Sequence, residues 1–453
     1  MNTHNIIYTL DSYKQLHDQM YPKDTEVVYS YLEARKGAMY PYTTFFGLQY
    51  ILKEWLEGVV VTKELIDEAE PLLKEHFKFC GDVWNRAKWD YIVEKCGGKL
   101  PLLIKAVKEG SNHSVGSVLV TVENTDPNCF WLTNAIETVL QQVWYSTTVC
   151  TRSNYIVNLI KKYFQLTVDE SNQWLAEYYL HDFAQRGVSG MEEAGIGGMA
   201  HLVNSRGTDT DMAMPFAMKY YGAKIEGLGY SVPASEHSIA TAMGQEKEFE
   251  ITRNLIKKFP NGILSVVSDS YDITNAIRVY CGDLKEEILA RNGKFVVRPD
   301  SPRFEGDTPQ HQVLWIVQQL AIGFGTTINS KGYQVLNPKV GVIYGDSLTE
   351  IDIDNIMRVL MQNGFSAENC VFGCGGYLLR KLNRDTLRFA FKSSAQKRNG
   401  VWYDIYKLPL DKSKVSKKGR FTNTNLETVY ENGSIIRVTT FDDVRKESVK
   451  NIN

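Results

Sequence analysis

No apolar run in this chain is long enough to cross a bilayer as a helix, and the opening residues MNTHNIIYTLDSYKQ lack the layout of a signal peptide. An excess of one charge is also missing. The formal net charge of −2 gives no general attraction to nucleic acid or to an anionic membrane surface, so neither is expected as a partner. Cysteine is sparse: seven residues, at 80, 96, 129, 150, 281, 370 and 374, are scattered and fit neither a disulfide framework nor a zinc ribbon. Cys370 and Cys374 lie four apart with no histidine nearby and read as small packing residues. There is no internal repeat, low-complexity tract or long linker. What remains is an ordinary globular composition, 43% hydrophobic and 23% charged, expected in a reducing cytoplasm. At roughly 150 residues per domain, the chain has length for two or three domains.

The ends of the chain differ from its middle. Up to about residue 160 it carries aromatic-rich runs at helical spacing, TTFFGLQYILKEWLEG (43–58) and TNAIETVLQQVWYSTTV (133–149), beside a strand-like TEVVYSYLEAR (25–35). From about residue 179, short apolar runs end in polar loops: AHLVN before SRGTDT (200–210), GILSVV before SDSYD (262–272), KFVVRPDS (294–301), KVGVIYGDS (339–347) and CVFGCGG (370–376). Helical patterns lie between them at 248–259, 310–324 and 349–365. Alternating strand and helix predicts parallel strands. The expected fold is therefore α/β: an irregular β/α barrel over 161–384, flanked by a second, α+β domain built from 1–160 and the basic, strand-like 385–453.

Each candidate strand ends in Asp, Arg, Ser or Gly, at the end where barrels and open α/β sheets gather their chemistry. One such end is ordinary turn chemistry. Five in succession, carrying Asp209, Asp269, Asp300 and Asp346, make a candidate site. The most informative stretch is GYSVPASEHS (229–238), where Pro233 disfavours helix and strand and the chain then delivers Glu236 and His237 together. A histidine suits proton or phosphoryl transfer near neutral pH; the alternative is a loop histidine capping a helix that starts near Ser235. Arg298 and Asp300, two apart on an extended strand, share a face and suit a phosphorylated sugar, or else form an internal pair. Asp269 and Asp300 could hold Mg²⁺ indirectly, since magnesium keeps several waters. In GCGGYLLRKL (373–382), Gly375 and Gly376 either open an anion site at a helix N-terminus or serve turn geometry alone. KSKVSKKGR (412–420) is a solvated face or, with Arg384 and Lys392, a polyphosphate surround. Phe183 and Arg186 in HDFAQRGVSG, and Tyr13 in DSYK, read in isolation as core or surface residues.

Taken in order, DSYK, YSYLEAR, HDFxxRGVS, AHLVNxxGTDT, GYSVPAxEHS, SVVSDSYDI, RPDS, GDS, FGxGGxLLxKLxRD and SKKGR resemble the nicotinamide phosphoribosyltransferase family over nearly the whole chain. The resemblance implies a type II phosphoribosyltransferase, a head-to-tail homodimer with shared active sites, joining nicotinamide to 5-phosphoribosyl 1-pyrophosphate with Mg²⁺. ATP hydrolysis would be coupled through a phosphohistidine at His237, with Glu236 and Asp269 beside it. By the same resemblance, Phe183 and the other subunit's Tyr13 would sandwich the pyridine ring, and Asp209, Ser265 and Arg298 would meet its carboxamide. Asp300 would bind the ribose hydroxyls, and Gly345, Asp346, Gly375 and Gly376 would line the ribose-phosphate site. Arg186 and, from the other subunit, Arg35, Arg384, Lys392, Lys407 and Lys414 would hold phosphates. Gln185, Gly190, Ser235, Cys374 and Tyr377 depart from the usual pattern without removing any of these residues. A missing residue between Lys407 and Lys414 leaves Lys412 as the alternative to Lys414.

Three other readings compete. Nicotinate phosphoribosyltransferase shares the chemistry, but a carboxylate at Asp209 would repel nicotinate. A non-catalytic binding protein on the same fold predicts losses at His237, Asp209, Arg298 or the glycine pair, and all are present. A generic sugar-phosphate barrel enzyme calls for a Schiff-base lysine or a proton-abstracting carboxylate at a strand end, and no strand end here supplies such a lysine.

Overall fold

The computed structural model describes residues 2–345, 348–410, 414–422 and 425–451; Asp346 and Lys412 lie outside them. The chain forms two compact units, one of residues 152–215 and 224–381, the other of residues 1–151, 216–223 and 382–453. Against the boundaries expected at 160 and 385, the chain passes between units at Thr151–Arg152 and Lys381–Leu382, and Phe216–Ala223 belongs with the flanking unit.

The first unit holds six parallel strands: β1 (Leu180–Asp182), β2 (Gly207–Thr208), β3 (Leu264–Val267), β4 (Phe295–Arg298), β5 (Val340–Tyr344) and β6 (Cys370–Cys374), in spatial order β2-β1-β6-β5-β4-β3. The two edges of this sheet, β2 and β3, both pair with one extended segment. Thr208 N donates to Tyr230 O (3.0 Å) and Tyr230 N to Arg206 O (2.7 Å), while Ser235 N donates to Ser265 O (3.0 Å) and Ser265 N to Pro233 O (2.9 Å). GYSVPAS thus closes the ring, and the seven members follow one another in chain order as in a β/α barrel. Pro233 can sit there because it contributes its carbonyl, the only group a proline backbone offers.

The helices follow from caps and periodicity. Glu350–Gln362 starts with a capping box between Thr349 and Asp352 and buries Ile353, Ile356, Met357 and Leu360 on one face. Ile273–Cys281 is capped by Asp272, which accepts from the amides of Thr274 and Asn275. AHLVN, expected as a strand, is instead the end of helix Met191–Leu202, and the strand is only Gly207–Thr208. Glycine weakens a helix on propensity, but here close packing demands it: a Cβ at Gly198 would stand 2.6 Å from Ala213 Cβ and 2.9 Å from Thr210 Cγ2.

The flanking unit is built on a seven-stranded antiparallel sheet in which Thr25–Ala34 pairs with Phe389–Arg398 on one side and Val118–Asn124 on the other. The two ends of the chain therefore share one sheet. The runs 43–58 and 133–149 are less regular than their spacing suggests. The first contains strand Tyr42–Thr44, one turn Leu48–Ile51 and a π-helical turn Leu52–Leu56. The second falls into Leu132–Ala135, Glu137–Gln141 and the start of Val143–Thr167.

Candidate active site

A cavity of about 560 Å³ runs into the barrel, with Phe183, Asp209, Ser231, Ser265 and Arg298 in its lining and Val296 and Val342 as apolar wall. Phe183 is placed by the turn after β1. Its amide donates to Cys374 O (2.8 Å), and the Asp182 carboxylate accepts from the Ala184 amide (2.8 Å). Asp182 is fully buried, with one oxygen lacking a partner, and burial pushes its carboxyl up to about 6 against the opposing Ala184 amide. The Phe183 ring lies over Gly373, where a Cβ would come within 2.1 Å of its edge, and the Arg298 guanidinium stands 5.5 Å from the ring centroid. Gly373, not singled out from the sequence, is thus the glycine that seats this ring.

Asp209 follows β2, its amide donating to Asp182 O (2.8 Å). One carboxylate oxygen, Oδ1, accepts from Ser231 Oγ (2.5 Å) and faces His181 Nε2 at 3.1 Å. Burial alone would raise its pKa, but the hydrogen bond and charge of His181, the Ser231 hydroxyl and the charge of Arg298 outweigh burial and hold it below the usual carboxylate range. The cavity therefore presents an ionised, well-anchored acceptor beside an aromatic face. Arg298 and Asp300 do meet, at 3.6 Å, although β4 ends at Arg298 and Asp300 lies in the loop beyond it, not on an extended strand as expected.

His237 sits at the mouth formed by the loops after the closing segment, β3 and β4. The helix there is a single turn, His237–Ala240, with Glu236 at its cap position and no side-chain capping bond, so capping is not this histidine's role. Its Nδ1 lies 3.0 Å from Ser270 Oγ, and its Nε2 3.5 Å from Asp300 Oδ2 and 3.8 Å from Asp269 Oδ1. Asp269 is buried: Oδ2 accepts from the Asp300 amide (2.9 Å) and the Ser301 hydroxyl (2.5 Å), while Oδ1 has no hydrogen-bond partner. Glu236 is exposed, accepts from the Ser238 hydroxyl and lies 3.9 Å from Arg186. After β6 the helix Gly376–Leu379 is also a single turn, which weakens the dipole argument for an anion site. A Cβ at Gly375 would meet nothing within 4 Å, so the space in front of this turn is open and no protein contact requires glycine there. Among the described residues, no group of three or more His, Cys, Asp or Glu side chains is arranged to hold a metal ion.

In the flanking unit, Arg35, Arg384, Lys392, Lys407 and Lys414 line one cavity of about 200 Å³ together with Glu137 and Gln141. Lys392 has its pKa lowered by burial, with Arg35, Lys407 and Arg384 adding to the effect against the pull of Glu137. Tyr13 belongs to the same unit and is 60% exposed, its ring 5.3 Å from that of His17. Sequence reasoning missed His181, Ser231 and Ser270 as well as Gly373. The signal for His181 was its place one residue before Asp182 at a strand end.

Comparison with known proteins identifies the family. Residues 178–434 match the nicotinate phosphoribosyltransferase (NAPRTase) family, and residues 5–104 the nicotinamide phosphoribosyltransferase N-terminal domain. The chain is 41% identical to nicotinamide phosphoribosyltransferase of Xanthomonas campestris pv. campestris (97% of each chain). It is 34% identical to that of Mycoplasma pneumoniae (95% of this chain, 98% of the relative). Among solved structures it shares its fold with Pyrococcus furiosus nicotinate-nucleotide pyrophosphorylase, at TM-score 0.57, 15% identity, and 99% and 96% coverage. Human nicotinic acid phosphoribosyltransferase also has TM-score 0.57, at 12% identity with 97% and 92% coverage.

Proposed function

Because the chain belongs to the nicotinamide phosphoribosyltransferase family, we propose that it joins nicotinamide to 5-phosphoribosyl 1-pyrophosphate, giving nicotinamide mononucleotide and pyrophosphate. The observation that carries this reading is the anchored, ionised Asp209 in the wall of the aromatic-lined cavity. A carboxylate there accepts from an amide NH₂ and repels a carboxylate in the same position, which favours nicotinamide over nicotinate. Phe183 takes one face of the pyridine ring and Tyr13 of a second copy of the chain the other; the exposed ring of Tyr13 supports that role.

The pyridine nitrogen forms a bond to the anomeric carbon as the bond from that carbon to pyrophosphate breaks. Holding the two in line removes most of the entropic barrier, and the Asp300 carboxylate beside the ribose favours the positive charge that develops on the sugar. Arg186 and the basic cavity of the second copy (Arg35, Arg384, Lys392, Lys407 and Lys414) hold the pyrophosphate. Gly345, Gly375 and Gly376 line the ribose-phosphate site, with Asp346, outside the described residues, assigned to it by the family resemblance alone.

ATP phosphorylates His237: a bond forms between Nε2 and the γ-phosphorus, ADP leaves, and Ser270 Oγ accepts the Nδ1 proton's hydrogen bond. Two carboxylates within 3.8 Å of Nε2 would repel a phosphoryl group there, and Mg²⁺ fits by neutralising Asp269, whose Oδ1 lacks a partner, and Asp300. No helix of the described residues is long and apolar enough to cross a membrane, and the cytoplasm, where NAD salvage runs, is the proposed location. The test is a competition assay: phosphoribosyl pyrophosphate and Mg²⁺ with equal nicotinamide and nicotinate, with and without ATP, both mononucleotides quantified. The expected result is mostly nicotinamide mononucleotide, increased by ATP; mostly nicotinate mononucleotide would overturn the specificity.

A further inference from the structure

Both hydrogen bonds that hold Asp209 end on the same oxygen. Ser231 Oγ (2.5 Å) and His181 Nε2 (3.1 Å) converge on Oδ1, which leaves Oδ2 as the acceptor available to a ligand. We propose that His181 is a positioning residue for base selection: its Nε2–H fixes the orientation of the Asp209 carboxylate and so presents Oδ2 to the ligand. This inference rests on the reading of Asp209 as the carboxamide acceptor and deepens it.

The placement of His181 is built into the barrel. The residue is buried at the middle of β1, and its backbone pairs with Gly207 of β2. A Cβ at Gly207 would stand 2.7 Å from His181 Nδ1 and 3.2 Å from its Cγ, so glycine is what lets the ring lie flat against β2. The same ring packs against Phe183, centroid to centroid 5.1 Å, at 51°. One side chain thus touches both the acceptor and the aromatic wall. With Nε2 donating to Asp209, the neutral tautomer has its acceptor at Nδ1, on the Gly207 side. The donor survives whether the ring is neutral or charged.

Removing the donor frees the carboxylate to rotate and weakens its ionised form, so the amide should bind less well and nicotinate should be rejected less strongly. His181→Phe keeps a ring against Phe183 and deletes the donor. His181→Gln keeps a donor, because its Nε2 is as many bonds from the backbone as the imidazole Nε2. Gly207→Ala pushes the ring away without touching its chemistry.

The experiment measures kcat and KM for nicotinamide and for nicotinate on these three variants and on the Gly207→Ala/His181→Phe double variant. Wild type is run alongside and thermal unfolding checks folding. A hydrogen bond to a charged group predicts a nicotinamide-over-nicotinate ratio lowered roughly tenfold or more in His181→Phe, mainly through KM. His181→Gln should recover most of that ratio. Gly207→Ala should reproduce the loss, and the double variant should be no worse than His181→Phe, as expected when both act through one contact. A folded His181→Phe with an unchanged ratio, or a Gln variant no better than Phe, overturns the positioning role. Wild type that makes no nicotinamide mononucleotide would instead remove the function on which the proposal stands.

Discussion

The barrel cavity and the basic cavity of the flanking unit solve opposite problems. In the first, charges of both signs are present, Asp209 and Glu368 against Lys294 and Arg298, and the chief acceptor, Asp209, is already paired on one oxygen, within walls of Phe183, Val296 and Val342. Such a site reads shape and the presence or absence of one proton donor. In the second, five cations crowd a volume of about 200 Å³ with a single carboxylate, Glu137, in the lining, and Lys392 is made less basic by burial first and by the neighbouring cations second. A site of that kind selects for charge and tolerates variation in shape. The contrast matches a substrate pair in which one partner is a flat neutral ring and the other a polyanion.

The contrast breaks first at Asp209. Asp209→Asn keeps the shape and removes the charge, so the preference for nicotinamide should fall by roughly a hundredfold, the upper range for a buried polar contact; steady-state kinetics with each base would show it. Arg35→Ala or Lys392→Ala should raise KM for phosphoribosyl pyrophosphate about tenfold and flatten its salt dependence, while leaving the ratio between bases unchanged. A shift in that ratio would mean the two cavities do not divide the work. The smallest effect is on stability. Asp182 has its folded pKa raised to about 6, so the folded state holds its proton more tightly than the unfolded chain. That contribution stabilises fully at low pH and is lost as pH rises from the unfolded value, about 3.9, through about 6. The difference in Tm between pH 4.5 and pH 7 should therefore shrink in Asp182→Asn.

Much of this was legible in the sequence, and the remainder was hidden for physical reasons. β3 to β6 are short apolar runs ending in Asp, Arg or Gly, and hydrophobic patterning finds such strands readily. β2 is only two residues long and follows a glycine-rich helix in which Gly198 answers to packing against Thr210 and Ala213, so no local pattern marks it. The His181–Asp209 contact joins residues 28 apart in the chain, and the seat of Phe183 on Gly373 joins the neighbouring strands β1 and β6 from distant parts of the sequence. Neither is a property of spacing. The cations of the basic cavity come from both ends of the chain and look like a solvated face until the sheet pairs Thr25–Ala34 with Phe389–Arg398.

The closing segment makes the barrel a ring with a seam. The other strands of the wall are joined by ladders of two to four residue pairs, whereas Tyr230–Ser235 meets β2 and β3 through one isolated bridge each, with four backbone hydrogen bonds and the Ser235 hydroxyl bond to the Val267 amide (3.0 Å). A cylinder yields along its seam, so this arc is where local opening costs least and where amide exchange should begin. Glu236 and His237 are the next residues along the chain. The groups assigned to phosphoryl chemistry are thus mounted beside the stretch of wall that is held by isolated bridges and not by a ladder.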